Sequence, residues 1–130
     1  MKHILVVDHQ AYWREMAGRA LRSAGYLVTP SATYDGLPRQ DYALILLGCA
    51  VIEERERLFV ARLLACKQPV VVLASSLSAH SLRALFIAGV VDAGEKTYDP
   101  AELVVLVEHT LQRQQTRQRA CYPLERVTLS

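Results

Sequence analysis

Short apolar runs alternate along the chain with longer stretches of helical period, a pattern that predicts strands and helices built around a parallel sheet. A first strand is expected over 3–7. Residues 11–24 set Trp13, Met16, Ala17, Ala20 and Leu21 at helical spacing ahead of Gly25, a stop signal, and predict the first helix. A short strand over 26–29 follows, and residues 30–40, holding Gly36 and Pro38, leave room only for a short or irregular helix. Residues 43–47 are apolar on both faces, as a central strand covered from both sides must be. A helix is expected over 52–66, with Leu58, Phe59, Leu63 and Leu64 toward the core and Glu53, Glu54, Arg55, Glu56 and Arg57 toward water. A strand over 69–73, a cap-rich loop over 75–78 and a helix over 79–88 closed by Gly89 come next. After a strand over 90–94, Asp99, Pro100 and Glu102 supply the start signals of a last helix reaching about Arg117.

These elements predict an α/β fold of (βα)5 type, a doubly wound three-layer sandwich with a five-stranded parallel sheet, in one domain over residues 1–117. Residues 118–130 are expected to be a tail or the stub of a linker, too short for a DNA-binding output domain. Asp8, Gly48, Ala74 and Lys96 each fall at or just past the carboxyl end of a strand, where open α/β sheets place their sites, and are expected to converge on one crevice.

Composition narrows the function classes. The 130-residue length fits a single core, and 52% hydrophobic with 22% charged residues is a globular balance. No apolar run approaches the roughly 20 residues that span a bilayer, and Met1 to Ile4 lead straight into a strand, so a cytoplasmic protein without membrane contact is expected. A formal charge of +2 is too small to imply nucleic acid. Arg113, Arg117, Arg119 and Arg126 are expected to be a solvated helix face, with no direct nucleic-acid binding. Cys49, Cys66 and Cys121 are odd in number and lack CxxC spacing, against both a disulfide framework and a zinc site. No metal and no cofactor is expected.

Five stretches then become specific: "ILVVDHQAYWREM", "SAGYLVT", "DYALILLGC", "PVVVLASS" and "AGVVDAGEKTYDPAEL". In order and spacing the chain resembles the receiver domain of two-component response regulators, with its flavodoxin-like fold, over about Lys2 to Gln112. The resemblance implies a phosphorylation pocket, and the residues at its positions depart from the family. The phosphate-accepting aspartate is matched by Gly48, and the acidic pair that helps bind magnesium by Asp8 and His9. The pocket hydroxyl is matched by Ala74, the aromatic of the fifth strand by Ala93 and the lysine by Lys96, which Thr97 follows in place of proline. Phosphoryl transfer to a carboxylate needs an oxygen nucleophile and a charge-offsetting metal, and glycine supplies neither. An atypical receiver, or pseudo-receiver, is therefore expected, with no functional magnesium site and with Asp8 and Lys96 left as a structural pair. A one-residue shift of the fourth strand would put Ser75 or Ser76 in the hydroxyl's place, an alternative the sequence leaves open.

Other chemistry around the crevice is weighed on the residues themselves. Cys49, His9 and Asp8 formally suggest an activated thiol, but neighbours in sequence are poorly placed to face each other, and a cysteine just past a buried strand packs as a small core residue. No enzymatic activity is expected. Replacing a carboxylate by Gly48 could also open room for an anion at Lys96, or neighbouring side chains could close it.

The last two helices are richer in apolar residues than one buried stripe requires. Leu82, Ala84, Leu85, Phe86, Ile87 and Ala88 crowd one, and residues 103–107 are apolar on every side. In the resembled family the face made by these helices and the fifth strand carries dimers and downstream partners, and Leu82, Phe86, Val104 and Val105 match it. The expected function is two-component-type signalling without aspartyl phosphorylation, through contacts with a protein partner or a second copy as a homodimer. The alternative is a small-ligand or anion sensor that uses the altered crevice.

Overall fold

The structure, a computed structural model, describes residues 1–36 and 39–129, with side chains as far as residue 117. In chain order it runs β1 (His3–Val7), α1 (Ala11–Ser23), β2 (Leu27–Ser31), β3 (Leu44–Cys49), α2 (Glu54–Ala65), β4 (Val70–Ala74), α3 (Ala79–Ala88), β5 (Asp92–Glu95) and α4 (Pro100–Leu129). The strands form one parallel sheet in the order β2-β1-β3-β4-β5. Because strand side chains alternate between faces, the central strands feed two cores. Ile4, Val6, Leu44, Leu46, Val71 and Leu73 meet Trp13, Met16, Leu21, Leu103 and Val107 of α1 and α4. Leu5, Val7, Ile45, Leu47, Val70 and Val72 meet Phe59, Val60, Leu63 and Leu85 of α2 and α3. The expected three-layer α/β sandwich, doubly wound and flavodoxin-like, is the fold observed.

The helix count differs from the (βα)5 expectation. Among the described residues four helices are present, and none lies between β2 and β3. Local side-chain chemistry takes its place: Ser31 Oγ donates to Thr33 O, Asp35 N donates to Thr33 Oγ1, and Gly36 turns the chain at φ 74°. Tyr34 folds inward from this segment and stacks on Phe59, ring centroids 5.0 Å apart, so an aromatic side chain covers sheet that a helix was expected to cover.

Three further expectations are corrected. On α2 the buried residues are Glu56, Phe59, Val60 and Leu63, while Leu58 is exposed. The helix is rotated relative to its expected setting, with Glu56 turned inward while Glu53 N and Arg55 Nε hydrogen-bond its carboxylate. The last strand begins at Asp92 rather than at residue 90, since Val90 still belongs to the stop of α3: Gly89 takes φ 114°, and Val90 N donates back to Leu85 O. Finally, α4 continues to Leu129, past Arg117, so the expected tail carries on the helix, while its side chains lie outside the described residues. Asp99 does cap α4, accepting from Ala101 N, but Glu102 turns to Thr97 Oγ1 instead of closing back on the cap.

Val104 and Val105 separate. Val104 is half-buried against the α1/α4 core, whereas Val105 is exposed. Val104→Glu is expected to lower stability by about 1–3 kcal/mol, because it forces a charge against apolar neighbours. Val105→Glu is expected to change it by less than about 0.5 kcal/mol. Urea unfolding of the two variants checks the difference.

Candidate functional site

The sheet order reverses between β1 and β3, so their carboxyl ends flank the switch point of the fold. Val7 pairs in register with Leu47, which carries Asp8 and Gly48, the next residues of each strand, to the same edge. Asp8 is held from several sides. Its amide donates to Ser31 O, its carbonyl accepts from Arg14 at 2.7 Å, and its Oδ1 accepts from Gln10 N at 2.9 Å. Its Oδ2 lies 2.7 Å from Lys96 Nζ, and both side chains are 3% exposed or less. Lys96 also donates to Gln10 Oε1 at 3.2 Å and sits 5.0 Å from the centre of the Trp13 ring. The expected Asp8–Lys96 pair is thus present, and its cation is committed to a carboxylate, an amide oxygen and an aromatic face. Removing one member of such a buried pair typically costs about 3–5 kcal/mol, because the other is left charged and alone.

Gly48 fits this arrangement closely. A Cβ there would touch the Asp8 carboxylate and come within 2.7 and 2.9 Å of two Trp13 ring carbons. Trp13 is fully buried, and its Nε1 donates to Thr97 O at 2.9 Å, tying α1 to the turn that follows Lys96. The space beside Gly48 is therefore filled by an aromatic ring and a carboxylate.

Above this floor a crevice of about 320 Å3 remains, lined in part by His9, Tyr34, Cys49, Glu56, Ser75 and Tyr98. His9 turns away from Cys49: its Nδ1 donates to Ala32 O at 2.6 Å and its ring leans on Tyr34. The Cys49 thiol is pushed up to about 12, first by burial and then by the Glu56 charge, so it is a protonated thiol at neutral pH. Ala74 is buried at the end of β4 and accepts from Lys96 N, while Ser75 is exposed and faces the crevice. Ala93 is half-buried against the α2/α3 core. No aromatic stands there, but Tyr98, just past Lys96, reaches the crevice instead.

Glu56 is the residue that periodicity missed. It is 2% exposed; its Oε1 accepts from Glu53 N at 2.9 Å and its Oε2 from Arg55 Nε at 2.8 Å. Burial opposes its charge, yet the hydrogen bonds outweigh burial and hold the carboxyl below the ordinary 4.5. Burial, then the Glu56 charge, raises the neighbouring Tyr34 phenol. The spacing of Glu53 and Glu56, three apart at a helix start, is the sequence signal for this contact.

Of the residues expected on the outer face, Phe86 and Val105 are exposed, Leu82 is half-buried and Val104 faces the core. Arg113 of α4 pairs with Asp92 of β5 at 3.1 Å, which fixes α4 beside that strand.

Two measurements check this geometry. Gly48→Ala is expected to cost about 1–3 kcal/mol through overpacking, and Gly48→Asp more, since it sets a second carboxylate beside Asp8. Urea unfolding followed by the fluorescence of Trp13, the single tryptophan, reads both. Because the folded-state pKa of Glu56 is depressed, the unfolded chain takes up the proton first, and the stabilisation present at neutral pH is lost as pH falls through the folded value. Unfolding midpoints should therefore drop as the pH falls through the ordinary 4.5 and below it, and drop less in Glu56→Gln.

No protein-family model matches the chain, and no curated protein does. Solved structures do. A CheY-like response regulator receiver domain protein from Methanospirillum hungatei JF-1 superposes with a TM-score of 0.78 at 18% identity, over 90% of this chain and 98% of that one. A two-component response regulator from Clostridium difficile gives 0.77 at 16% identity, over 88% and 98%. Chemotaxis protein CheY4 from Vibrio cholerae gives 0.75 at 19% identity, over 85% and 98%. The chain has the fold of response regulator receiver domains.

Proposed function

We propose that this protein is an atypical receiver-type signalling protein of the two-component kind that is not phosphorylated on aspartate and acts through protein contacts of its α3–β5–α4 face. The observation that carries the reading is the occupied space at Gly48, where the Trp13 ring and the Asp8 carboxylate stand in the volume an acceptor side chain would need. Magnesium prefers several oxygen ligands in near-octahedral array. The residues in place do not suit it: Asp8 Oδ2 is paired with Lys96, Gly48 offers no donor, and the Nδ1 of His9 is turned to Ala32 O. The outer face is supported by Phe86 and Val105, large apolar residues each close to half exposed. The contact can be with a second copy or with a partner protein.

The remaining crevice supports a second reading, a small-ligand sensor at the carboxyl ends of the strands. Lys96 is already committed, so an anion would find Arg55, Ser75 and the aromatic rims of Tyr34 and Tyr98 rather than the buried cation. Native mass spectrometry of the purified chain would favour this reading if it carried a bound small molecule.

Incubation with acetyl phosphate and magnesium, read by intact mass, is expected to leave the wild type unmodified; a stable phosphoryl adduct would overturn the first reading. In light scattering, Phe86→Glu and Val105→Glu are expected to shift a wild-type dimer toward monomer while the melting temperature holds. If the wild type is monomeric, the contact is with another protein.

A further inference from the structure

The helix α3 is held to the body by little. Of its ten residues only Leu85 is buried, although Ala84, Phe86, Ile87 and Ala88 are also apolar. Helical spacing divides the exposed set: Ala84 and Ala88 lie on the flank that faces α2, and Phe86 lies on the other. On that flank a groove of about 420 Å3 runs between the two helices, with Val60 and Leu85 at its floor and Ala61, Ala84 and Ala88 along its sides. Small side chains on both walls allow another chain to approach closely.

The charge of the groove has one sign. Arg57 of α2 and His80 of α3 line it, no carboxylate does, and the first turn of α3 carries no acidic residue to offset its helix dipole. Of the three acids at the start of α2, Glu53 and Glu56 line the crevice at the strand ends, and Glu54 lines neither space.

We propose that the α2–α3 groove is a docking site for an acidic amphipathic segment of a partner protein, its aliphatic side chains between the alanine-lined walls on the floor of Val60 and Leu85 and a carboxylate at Arg57 and His80. This surface is separate from the α3–β5–α4 face, so one helix would serve two contacts, one on each flank.

The test uses the full chain and a fluorescein-labelled synthetic helical peptide, with leucines spaced to form one stripe and glutamates beside it, together with a version in which lysines replace the glutamates. The acidic peptide is expected to bind saturably and more weakly as salt rises, with amide resonances of Val60, Ala61, Ala84 and Ala88 moving. Arg57→Glu should weaken it about threefold to fivefold, and Ala84→Glu by roughly tenfold or more, since the new charge would be buried against the peptide. Both positions are exposed, so the melting curves should stay with the wild type; if Ala84→Glu alone melts early, Arg57→Glu still decides. Absence of saturable binding, equal binding of the lysine peptide, or shifts confined to Phe86 and Val105 would overturn the proposal.

Discussion

Everything at the strand ends is arranged around two charges withdrawn from water. A carboxylate and an ammonium buried together are tolerated only where geometry and further hydrogen bonds replace the lost solvent, and each neighbour of the Asp8–Lys96 contact contributes to that replacement. Gln10 serves both partners, donating its amide to the acid and offering its side-chain oxygen to the cation. Trp13 presents its face to the cation and, through Nε1, pins the turn after Lys96. The ring can stand there only because residue 48 has no side chain. The glycine, the tryptophan and the ion pair are thus one unit, and none has its present setting without the others.

That unit joins β1, β3, α1 and the β5–α4 turn. Held in this way, the carboxyl edge of the sheet is a fixed scaffold. Variation is left to the helices on the opposite layer, where α3 is attached by a single buried leucine and offers apolar residues on two flanks. A firmly tied sheet edge with a lightly anchored helix agrees with the proposed role in protein contacts.

The architecture was legible in the sequence because its signals are repetitive. Apolar runs marked the first four strands of the sheet, the fifth starting past its run at Asp92, and Ser78 and Gly89 marked both ends of α3, whose bounds agree with the expectation. Gly48 could be singled out because it interrupts a run that is otherwise fully apolar, and the pairing of Asp8 with Lys96 was implied by the receiver resemblance, in which Asp8 is the carboxylate left near the lysine once Gly48 stands at the acceptor position. What escaped was context. Periodicity assigns every charged residue of a helix to water, so the inward turn of Glu56 and the outward turn of Leu58 were invisible to it; hydrogen bonds from Glu53 and Arg55 reverse the assignment. The replacement of a helix by Tyr34 escaped for a similar reason, since stacking on Phe59 is a contact between elements distant in sequence. Val104 and Val105 are equally apolar, and only the packing of α4 against α1 tells them apart.

The edge strand β2 carries a consequence of another kind. Leu27 N donates to Lys2 O and Ser31 O accepts from Asp8 N, so alternate residues of β2 face β1, and Pro30, between them, falls on the outer side. There the strand has no amide to offer. An additional strand laid along that edge would lose a rung at its middle, and growth of the sheet from molecule to molecule is discouraged at the border where open sheets are most prone to aggregate. A protein with apolar side chains exposed on its helices thereby has one sheet border at which backbone pairing between molecules is blocked.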